Sequence, residues 1–300
     1  MSMLPFDDRD GWIWMDGKMV PWREARLHAL THGLHYASCV FEGERSYEGT
    51  IFKLTEHTER LHASARILDF SIPFSVTEVD EACRQVIEAN GIGDGYVRPV
   101  AWRGSEMMGV SAQKNTIHLV IAAWDWPSYF TPEARLRGIR LQISDWRRPA
   151  PDTAPVKSKA AGLYMICTMS KHKAEKAGYE DALMLDWRGQ VAEATGANVF
   201  LVIDGELHTP TPDCFLDGIT RRTAIELAKR RGLRVIERAI FPQDLEKADE
   251  VFLTGTAAEV TPVSEIGPYR FKPGKVCAAM IEDYEKAVRS HKDGAKASAA

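Results

Sequence analysis

The feature that most constrains the fold is a proline-containing break between two sheet-like halves of the chain. Residues 117–124 are IHLVIAAW, an almost uninterrupted apolar run that is typical of a central strand covered on both faces. The following segment contains Pro127 and Pro132 among polar residues, and proline lacks the backbone N–H that a sheet requires. We therefore predict a small N-terminal domain at 1–124, an interdomain linker at 125–134 and a larger C-terminal domain at 135–290.

Local turn and capping signals predict the first elements. Asp16-Gly17, flanked by alternating apolar residues, indicates a two-residue hairpin turn. Ser75 and Glu78 have the spacing of a capping box, which predicts a helix that ends at Gly91. Periodicity predicts further helices at 56–70, 163–177, 220–231 and 275–288, and strands at 96–102, 139–143, 181–186, 198–203 and 250–253. The tail at 291–300 is small and charged, so we expect it to be disordered.

Composition and charge exclude several classes of function. The net charge is −4 and the pI is near 6.2, with Lys and Arg dispersed, so we expect no nucleic-acid and no membrane partner. No apolar run reaches the ~18 to 20 residues of a membrane span, and no leader pattern opens the chain. The five cysteines contain no C-x-x-C pair, and His32 and His35 have no third ligand, so we expect no metal site. These features predict a cytoplasmic protein that acts on small molecules.

A lysine-containing segment, 157–162 (KSKAAG), follows a proline-rich loop. A lysine attacks a carbonyl carbon only as the neutral amine or by exchange with an existing imine, which requires a desolvated or positively biased pocket. Small neighbours leave room for a flat ring. Spacing cannot choose between Lys157 and Lys159, because positions two apart in an extended segment point to the same side. A solvated surface role stays open for both.

Three other segments could hold a charged ligand. Glu193 lies in a turn-rich segment between two predicted strands, where a carboxylate can pair with a pyridinium nitrogen or remain an ordinary loop carboxylate. Gly218, Ile219 and Thr220 open a predicted helix with a glycine turn, N–H groups and a hydroxyl, where the helix dipole favours an anion. The segment 254–259 (TGTAAE) offers a second set of N–H donors. Many helices and turns of this kind bind nothing.

In combination, these segments resemble the branched-chain aminotransferases of fold type IV, a family of pyridoxal-5′-phosphate (PLP) enzymes. The matching segments are 32–36 (HGLHY), 40–43 (VFEG), 56–65 (EHxxRLHxSA), 96–99 (YVRP), 159–164 (KAAGxY), 193–200 (EATGANVF), 216–221 (LDGITR) and 255–262 (GTAAEVTP). They occur in the family's order within residues 12–288. The resemblance implies an α+β fold of type IV, with a small α/β sandwich domain and a larger domain with a pseudo-barrel sheet. It also implies a homodimer or higher homo-oligomer.

The resemblance implies a complete cofactor site. It selects Lys159 as the catalytic residue, which forms a Schiff base with PLP and transfers the substrate's Cα proton. Glu193 would pair with the pyridine nitrogen, and Tyr164 would hydrogen-bond the cofactor's phenolic oxygen. The residues implied to hold the phosphate are Arg60, Ile219, Thr220 and Thr256, with Gly218 in the glycine turn beside them.

The resemblance also implies a substrate site for Leu, Ile and Val, with 2-oxoglutarate as the amino acceptor and ping-pong kinetics. The α-carboxylate would bind Tyr96 and the backbone N–H groups of Thr256 and Ala257. The residues implied to line the side-chain pocket are Phe41, Trp126 and Tyr164, with Tyr36 and Val110 from a neighbouring subunit. Arg98, with Tyr36 beside it, is the candidate for the distal carboxylate of glutamate, unless it is a strand arginine paired with a surface acid.

Three positions depart from the commonest family pattern: Glu44, Leu163 and Asp217. We expect Glu44 near the pocket entrance, where a carboxylate could alter the choice of acceptor or amine. A D-amino-acid aminotransferase would be expected to carry a basic carboxylate-binding motif in place of residues 96–99. An (R)-amine transaminase or an aminodeoxychorismate lyase remains an alternative within the fold. A PLP-binding protein without turnover is the alternative outside the enzymes, against which Lys159 and Glu193 argue.

Overall fold

The computed structural model describes residues 4–126 and 137–290. These residues divide into two compact units, the first formed by 4–126 with 158–162 and the second by 137–157 with 163–290. The segment 158–162 belongs to the first unit, although its chain neighbours on both sides belong to the second. Most of the predicted linker at 125–134 and the whole predicted tail at 291–300 lie outside the described residues.

The first unit contains an antiparallel sheet. Its strands are β1 (Trp12–Met15), β2 (Lys18–Pro21), β3 (Cys39–Phe41), β4 (Glu44–Tyr47), β5 (Thr50–Ile51), β6 (Gly95–Arg103) and β7 (Ile117–Asp125). Their order is β2-β1-β7-β6-β4-β5, and β3 also pairs with β6. The hairpin prediction is confirmed, because Asp16 and Gly17 join β1 to β2 with φ values of 48° and 89°, the positive values that this turn requires. The predicted central strand is also confirmed, since β7 lies between β1 and β6.

Helices cover one face of this sheet. They are α2 (Leu54–Ile67) and α3 (Val76–Ala89), preceded in the chain by the short helix α1 (His32–His35). The capping box of α3 is confirmed, because the Ser75 backbone N–H donates to Glu78 Oε2 at 2.7 Å and the Glu78 N–H donates to Ser75 Oγ at 3.3 Å. Leu61 of α2 and Val79 of α3 are fully buried against the sheet, and truncating such a leucine to alanine costs about 2–5 kcal/mol.

The two faces of β7 differ in burial. Leu119 and Ile121 are fully buried in the core beneath the helices. Val120 and Ala122, which alternate with them, are only partly buried and line an apolar groove together with Leu27. The apolar second face that the sequence indicates is therefore partly open to solvent in the single chain.

The second unit contains a sheet that closes on itself. Its strands are β8 (Ile139–Arg148), β9 (Asp181–Asp186), β10 (Val191–Ala194), β11 (Asn198–Ile203), β12 (Glu206–Pro210), β13 (Val235–Arg238), β14 (Glu250–Gly255), β15 (Glu259–Ile266) and β16 (Tyr269–Arg270). The order β10-β9-β8-β15-β14-β11 is closed by pairing of β11 with β10. Leu141, Leu183 and Leu253, from three of these strands, are buried in one apolar cluster. The implied pseudo-barrel and the α+β class are confirmed.

Helices of the second unit are α4 (Met165–Lys176), α5 (Ile219–Arg230) and α6 (Lys275–Arg289), each within two residues of its predicted bounds. Short 3-10 turns cover Trp22–Glu24, Ala161–Tyr164 and Pro242–Lys247. One local prediction is wrong: Glu193 lies in a strand, β10, because Val191 and Ala194 are buried and pair with β9. None of the helices among the described residues is long and apolar enough to cross a membrane.

Candidate active site

The backbone around Lys159 is held by two elements of the first unit. The Lys159 carbonyl accepts a hydrogen bond from the Phe41 N–H at 3.1 Å, and Ala160 forms a bridge with Val40 of β3. The Lys159 N–H donates to Ser64 Oγ on α2 at 3.0 Å. The side chain of Lys159 therefore extends from a fixed point beside β3 and α2, whereas Lys157 is exposed.

The environment of Lys159 favours a neutral amine. Burial, followed by the positive charge of Arg60, lowers the pKa of Lys159 from 10.5 to about 8, while the negative charge of Glu42 opposes the shift. Its Nζ atom lies 5.0 Å from the centroid of the Phe41 ring. A desolvated lysine with a lowered pKa is the form that attacks a carbonyl carbon.

Arg60 is paired with a buried carboxylate. Its Nε and Nη2 atoms donate to Oε1 and Oε2 of Glu42 at 2.7 and 2.8 Å. His57, one helical turn earlier on α2, contacts Glu42 Oε2 through Nδ1 at 2.7 Å. Burial alone would raise the pKa of Glu42, but Arg60 and His57 outweigh it and lower that pKa. Glu42 is therefore an ionised carboxylate, and sequence reasoning gave it no role.

An aromatic and cationic group lies on β6 and next to it. The Arg98 Nη2 atom donates to the Tyr96 hydroxyl at 3.2 Å, and the Arg98 guanidinium lies 4.7 Å from the centroid of the Phe41 ring. The Trp126 ring lies 5.8 Å from that of Tyr96. A Cβ atom at Gly43 would overlap the Tyr96 hydroxyl, so a larger residue at this position would displace that hydroxyl. The first unit thus brings four of the predicted substrate residues together.

The second unit holds Glu193 beside a buried arginine. Arg148 Nε lies 3.3 Å from Glu193 Oε1, and Asn198 Nδ2 donates to Glu193 Oε2 at 3.4 Å. Burial alone would lower the pKa of Arg148, but Glu193, Cys167 and Tyr164 together outweigh it, and the pKa is raised. Both partners were missed from the sequence, where Arg148 only begins a proline-rich stretch.

The register of the closed sheet brings the remaining candidates of this unit to one end. Glu193 pairs with Asn198 in the ladder, and Asn198 pairs with Thr254 on β14. The turn between β14 and β15 contains Thr256 and Ala257, both partly buried. Gly218 packs against the Asn198 amide oxygen so closely that a Cβ atom would not fit. The N-terminus of α5 therefore lies at the same end as Glu193.

The first turn of α5 contains Ile219 and Thr220, which are buried, after the N-cap residue Gly218. The first N–H groups of a helix have no acceptor within the helix, and the helix dipole attracts an anion to them. Asp217 lies at the same end, but it accepts a hydrogen bond from buried Arg221 at 2.8 Å, which offsets its charge. This departure from the family pattern therefore leaves the end of the helix suited to an anion.

The remaining predicted residues are partly buried or exposed. Tyr164 ends a 3-10 turn and is partly buried, as is Leu163 before it. Tyr36 and Val110 are 45% and 82% exposed, and Tyr36 stacks on His32 at a centroid distance of 4.6 Å. Their side chains are thus at the surface of the single chain.

The expectation for Glu44 is wrong. Its carboxyl is fully buried on β4, beside Cys83 and Asp80 of α3, rather than at a pocket entrance. Burial, reinforced by the negative charges of Glu42 and Asp80, raises the pKa of Glu44 well above its ordinary value. A protonated Glu44 replaces an apolar residue in the core of the first unit, so it does not act as a surface charge.

Comparison with known proteins agrees with the fold. The family described as amino-transferase class IV matches residues 39–266, so the chain is a class IV aminotransferase. A probable branched-chain-amino-acid aminotransferase of Rickettsia bellii is 45% identical over 93% of this chain and 96% of its own length. The enzyme of that name from Pseudomonas aeruginosa is 42% identical over 92% and 90%. Within the class, the chain belongs to the branched-chain-amino-acid aminotransferase family.

Solved structures lead to the same family. The branched-chain aminotransferase of the thermophilic archaeon Thermoproteus uzoniensis, solved with norvaline, has a TM-score of 0.89 and 35% identity, over 93% of this chain and 95% of that one. The Escherichia coli branched-chain amino acid aminotransferase has a TM-score of 0.87 and 38% identity, over 93% of each chain. The fold type inferred from the sequence is thus confirmed.

Proposed function

We propose that this chain transfers the amino group of branched-chain L-amino acids to 2-oxoglutarate, with PLP as its cofactor and Lys159 as the residue that binds the cofactor covalently. The observation that carries the proposal is the desolvated Lys159, whose pKa is lowered to about 8, in a chain of this family. When bound, PLP supplies an electron-withdrawing ring that stabilises negative charge at the substrate Cα. The neutral Lys159 amine removes the Cα proton as a general base.

The second unit contains the residue proposed to bind the pyridine nitrogen of PLP. Glu193 Oε1 lies 3.3 Å from Arg148 Nε, and the Glu193 carboxylate would hold a proton at the ring nitrogen through a charge-assisted hydrogen bond. Tyr164 would donate to the phenolic oxygen. The residues proposed for the phosphate dianion are Arg60, Gly218, Ile219, Thr220 and Thr256, which combine a guanidinium with backbone N–H donors.

The substrate residues divide by chemistry. Tyr96 and the N–H groups of Thr256 and Ala257 would bind the α-carboxylate. Phe41, Trp126 and Tyr164 offer an apolar and aromatic lining, which accepts Leu, Ile and Val but separates them weakly, since one methylene is worth about 1–3 kcal/mol. Arg98 would bind the distal carboxylate of glutamate, because its guanidinium lies beside Tyr96 and Phe41 in the same group.

The proposed assembly is a homodimer, with Tyr36 and Val110 entering the site of the neighbouring subunit. The partly open apolar groove, which contains Leu27, Leu34 and Val120, supports a protein partner on this side of the sheet. Light scattering of the purified protein tests the assembly, and a monomer at micromolar concentration would exclude it.

A half-reaction tests the function. The yellow holoenzyme is mixed with L-leucine, D-alanine or (R)-1-phenylethylamine, and loss of its visible absorbance is followed. We expect rapid bleaching by L-leucine alone, followed by recovery on addition of 2-oxoglutarate. Bleaching by D-alanine or by the (R)-amine alone would instead indicate one of the alternative transaminases, and no bleaching at all would indicate a protein without turnover.

The lysine assignment has a matched control. Lys159→Ala should abolish turnover, whereas Lys157→Ala should retain most of it because Lys157 is exposed. Borohydride reduction followed by peptide mapping should place the pyridoxyl group on Lys159. Equal loss in both variants, or a label on Lys157, would contradict the assignment.

A further inference from the structure

Glu42 is a fully buried charged group in the first unit, yet the proposed function gives it no role. Its side chain is 0% exposed, and its Oε2 atom also accepts a hydrogen bond from the Gly43 N–H at 3.3 Å. Burying a carboxylate in a protein interior is unfavourable unless its oxygens are paired. Glu42 meets that requirement, because its oxygens are paired with the Gly43 N–H and with His57 and Arg60 of α2.

The pairing between Glu42 and Arg60 fixes the orientation of the guanidinium. Two parallel contacts, Nε to Oε1 at 2.7 Å and Nη2 to Oε2 at 2.8 Å, define the plane of the group as well as its position. The Nη1 atom lies outside this two-point contact. An anion bound by Arg60 would therefore meet a guanidinium whose plane Glu42 has already set, so little side-chain entropy would be lost on binding.

His57 holds the carboxylate from the other side. It lies one turn before Arg60 on the same face of α2, since positions three apart are neighbours on a helix. Burial lowers the pKa of His57, so the ring is neutral, and its Nδ1 must carry the hydrogen because an ionised carboxylate only accepts. The three side chains form a chain of contacts in the order His57, Glu42, Arg60.

Glu42 also lies next to the element that fixes Lys159. It directly follows Phe41, whose N–H binds the Lys159 carbonyl. Its negative charge raises the pKa of Lys159, whereas the positive charge of Arg60 lowers that pKa. A change at Glu42 is therefore felt both at Arg60 and at Lys159.

We propose that Glu42 is a positioning residue that holds the Arg60 guanidinium in the orientation that receives the cofactor's phosphate, with His57 holding Glu42 in turn. The inference rests on the proposed function, which assigns Arg60 to the phosphate. A purely structural ion pair would stabilise the fold without distinguishing a phosphorylated ligand from an unphosphorylated one. The two roles therefore differ in their effect on the binding of PLP relative to pyridoxal, which lacks the phosphate.

The test measures dissociation constants of PLP and pyridoxal with the full-length apoenzyme. Glu42→Gln should raise the dissociation constant of PLP by roughly 10- to 100-fold, the effect of losing one charge-assisted hydrogen bond, and that of pyridoxal by less than about threefold. His57→Asn keeps a side-chain donor, so it should raise the dissociation constant of PLP less than Glu42→Gln does. The matched control is Glu59→Gln on the exposed side of α2, which should change neither constant. Thermal unfolding of each apoenzyme verifies that it is folded.

A double-mutant cycle separates the two proposals. Arg60→Ala should raise the dissociation constant of PLP selectively, relative to that of pyridoxal. Adding Glu42→Gln to Arg60→Ala should raise the PLP constant little further, because Glu42 acts through Arg60. Suppose that Arg60→Ala weakens the binding of PLP more than that of pyridoxal. If Glu42→Gln then weakens PLP binding equally with and without Arg60, or weakens the binding of both ligands equally, this inference fails and the phosphate assignment stands. If Arg60→Ala is not selective, both fail. Should Glu42→Gln be unstable, Glu42→Asp, which is too short to reach both nitrogen atoms, must give the same selective loss or the inference is overturned.

Discussion

The titration of Lys159 can be predicted from its surroundings. A solvated lysine with a pKa of 10.5 is only about 0.1% neutral at pH 7.5. With the pKa lowered to about 8, about a quarter of the molecules carry the neutral amine at the same pH. Burial contributes most to this change and Arg60 comes next, so the apoenzyme should contain a nucleophilic amine near neutral pH.

The assay is competitive labelling of the apoenzyme. Short pulses of isotopically labelled formaldehyde with cyanoborohydride are applied between pH 6 and pH 10, and peptide mass spectrometry reports the methylation of each lysine. The Lys159 rate should rise to half its maximum at about pH 8. Nα-acetyl-lysine in the same solution measures the reagent's own dependence on pH, and the exposed Lys157 controls for protein recovery.

Two variants test the causes of this shift. Arg60→Ala removes a positive charge and should move the Lys159 midpoint upwards. Glu42→Gln removes the opposing negative charge and should move it downwards. A wild-type midpoint near the ordinary value of 10.5 would refute the reasoning from burial. Shifts of the same sign in both variants would refute the assignment of the charges.

Three further outcomes are expected from other positions. Glu44→Gln should stabilise the apoenzyme at pH 8 and less so at pH 5, because a raised folded-state pKa gives stability that is lost as the pH rises, which urea unfolding at both values measures. Gly43→Ala should displace the Tyr96 hydroxyl and raise KM for amino acids, and an unchanged KM would contradict the overlap seen at Gly43. Arg98→Met should raise KM for 2-oxoglutarate by roughly 10- to 100-fold while changing that for L-leucine by less than about threefold. Equal changes for both substrates would show that Arg98 does not select the distal carboxylate.

Local signals were enough to predict many elements. The hairpin turn at Asp16-Gly17 and the capping box at Ser75 depend on residues that are close in sequence, and both occur where the pattern indicates. The helix at Ile219–Arg230 begins one residue before its predicted start. Such features are set by the conformational preferences of a few neighbouring residues.

The partners of the site residues could not be predicted in the same way. Arg148 is separated from Glu193 by the whole of α4 and β9, and only the closed sheet brings them together. Glu44 looks like a surface charge in a linear pattern, but it is fully buried on β4 beside Cys83 and Asp80 of α3. Hydrophobic periodicity does not predict contacts of this kind, because they depend on which strands, distant in sequence, become neighbours in the sheet.

The membership of residues 158–162 in the first unit has a consequence for biosynthesis. Phe41 and Ser64 use this segment as their hydrogen-bonding partner, although it is made almost a hundred residues after Ser64. A nascent chain that has emerged only as far as residue 127 therefore lacks a stretch of backbone that its own first unit needs. Folding of this unit therefore cannot finish until residue 162 has been translated, when synthesis of the second unit has already begun, and a fragment that stops at residue 127 should be prone to aggregation.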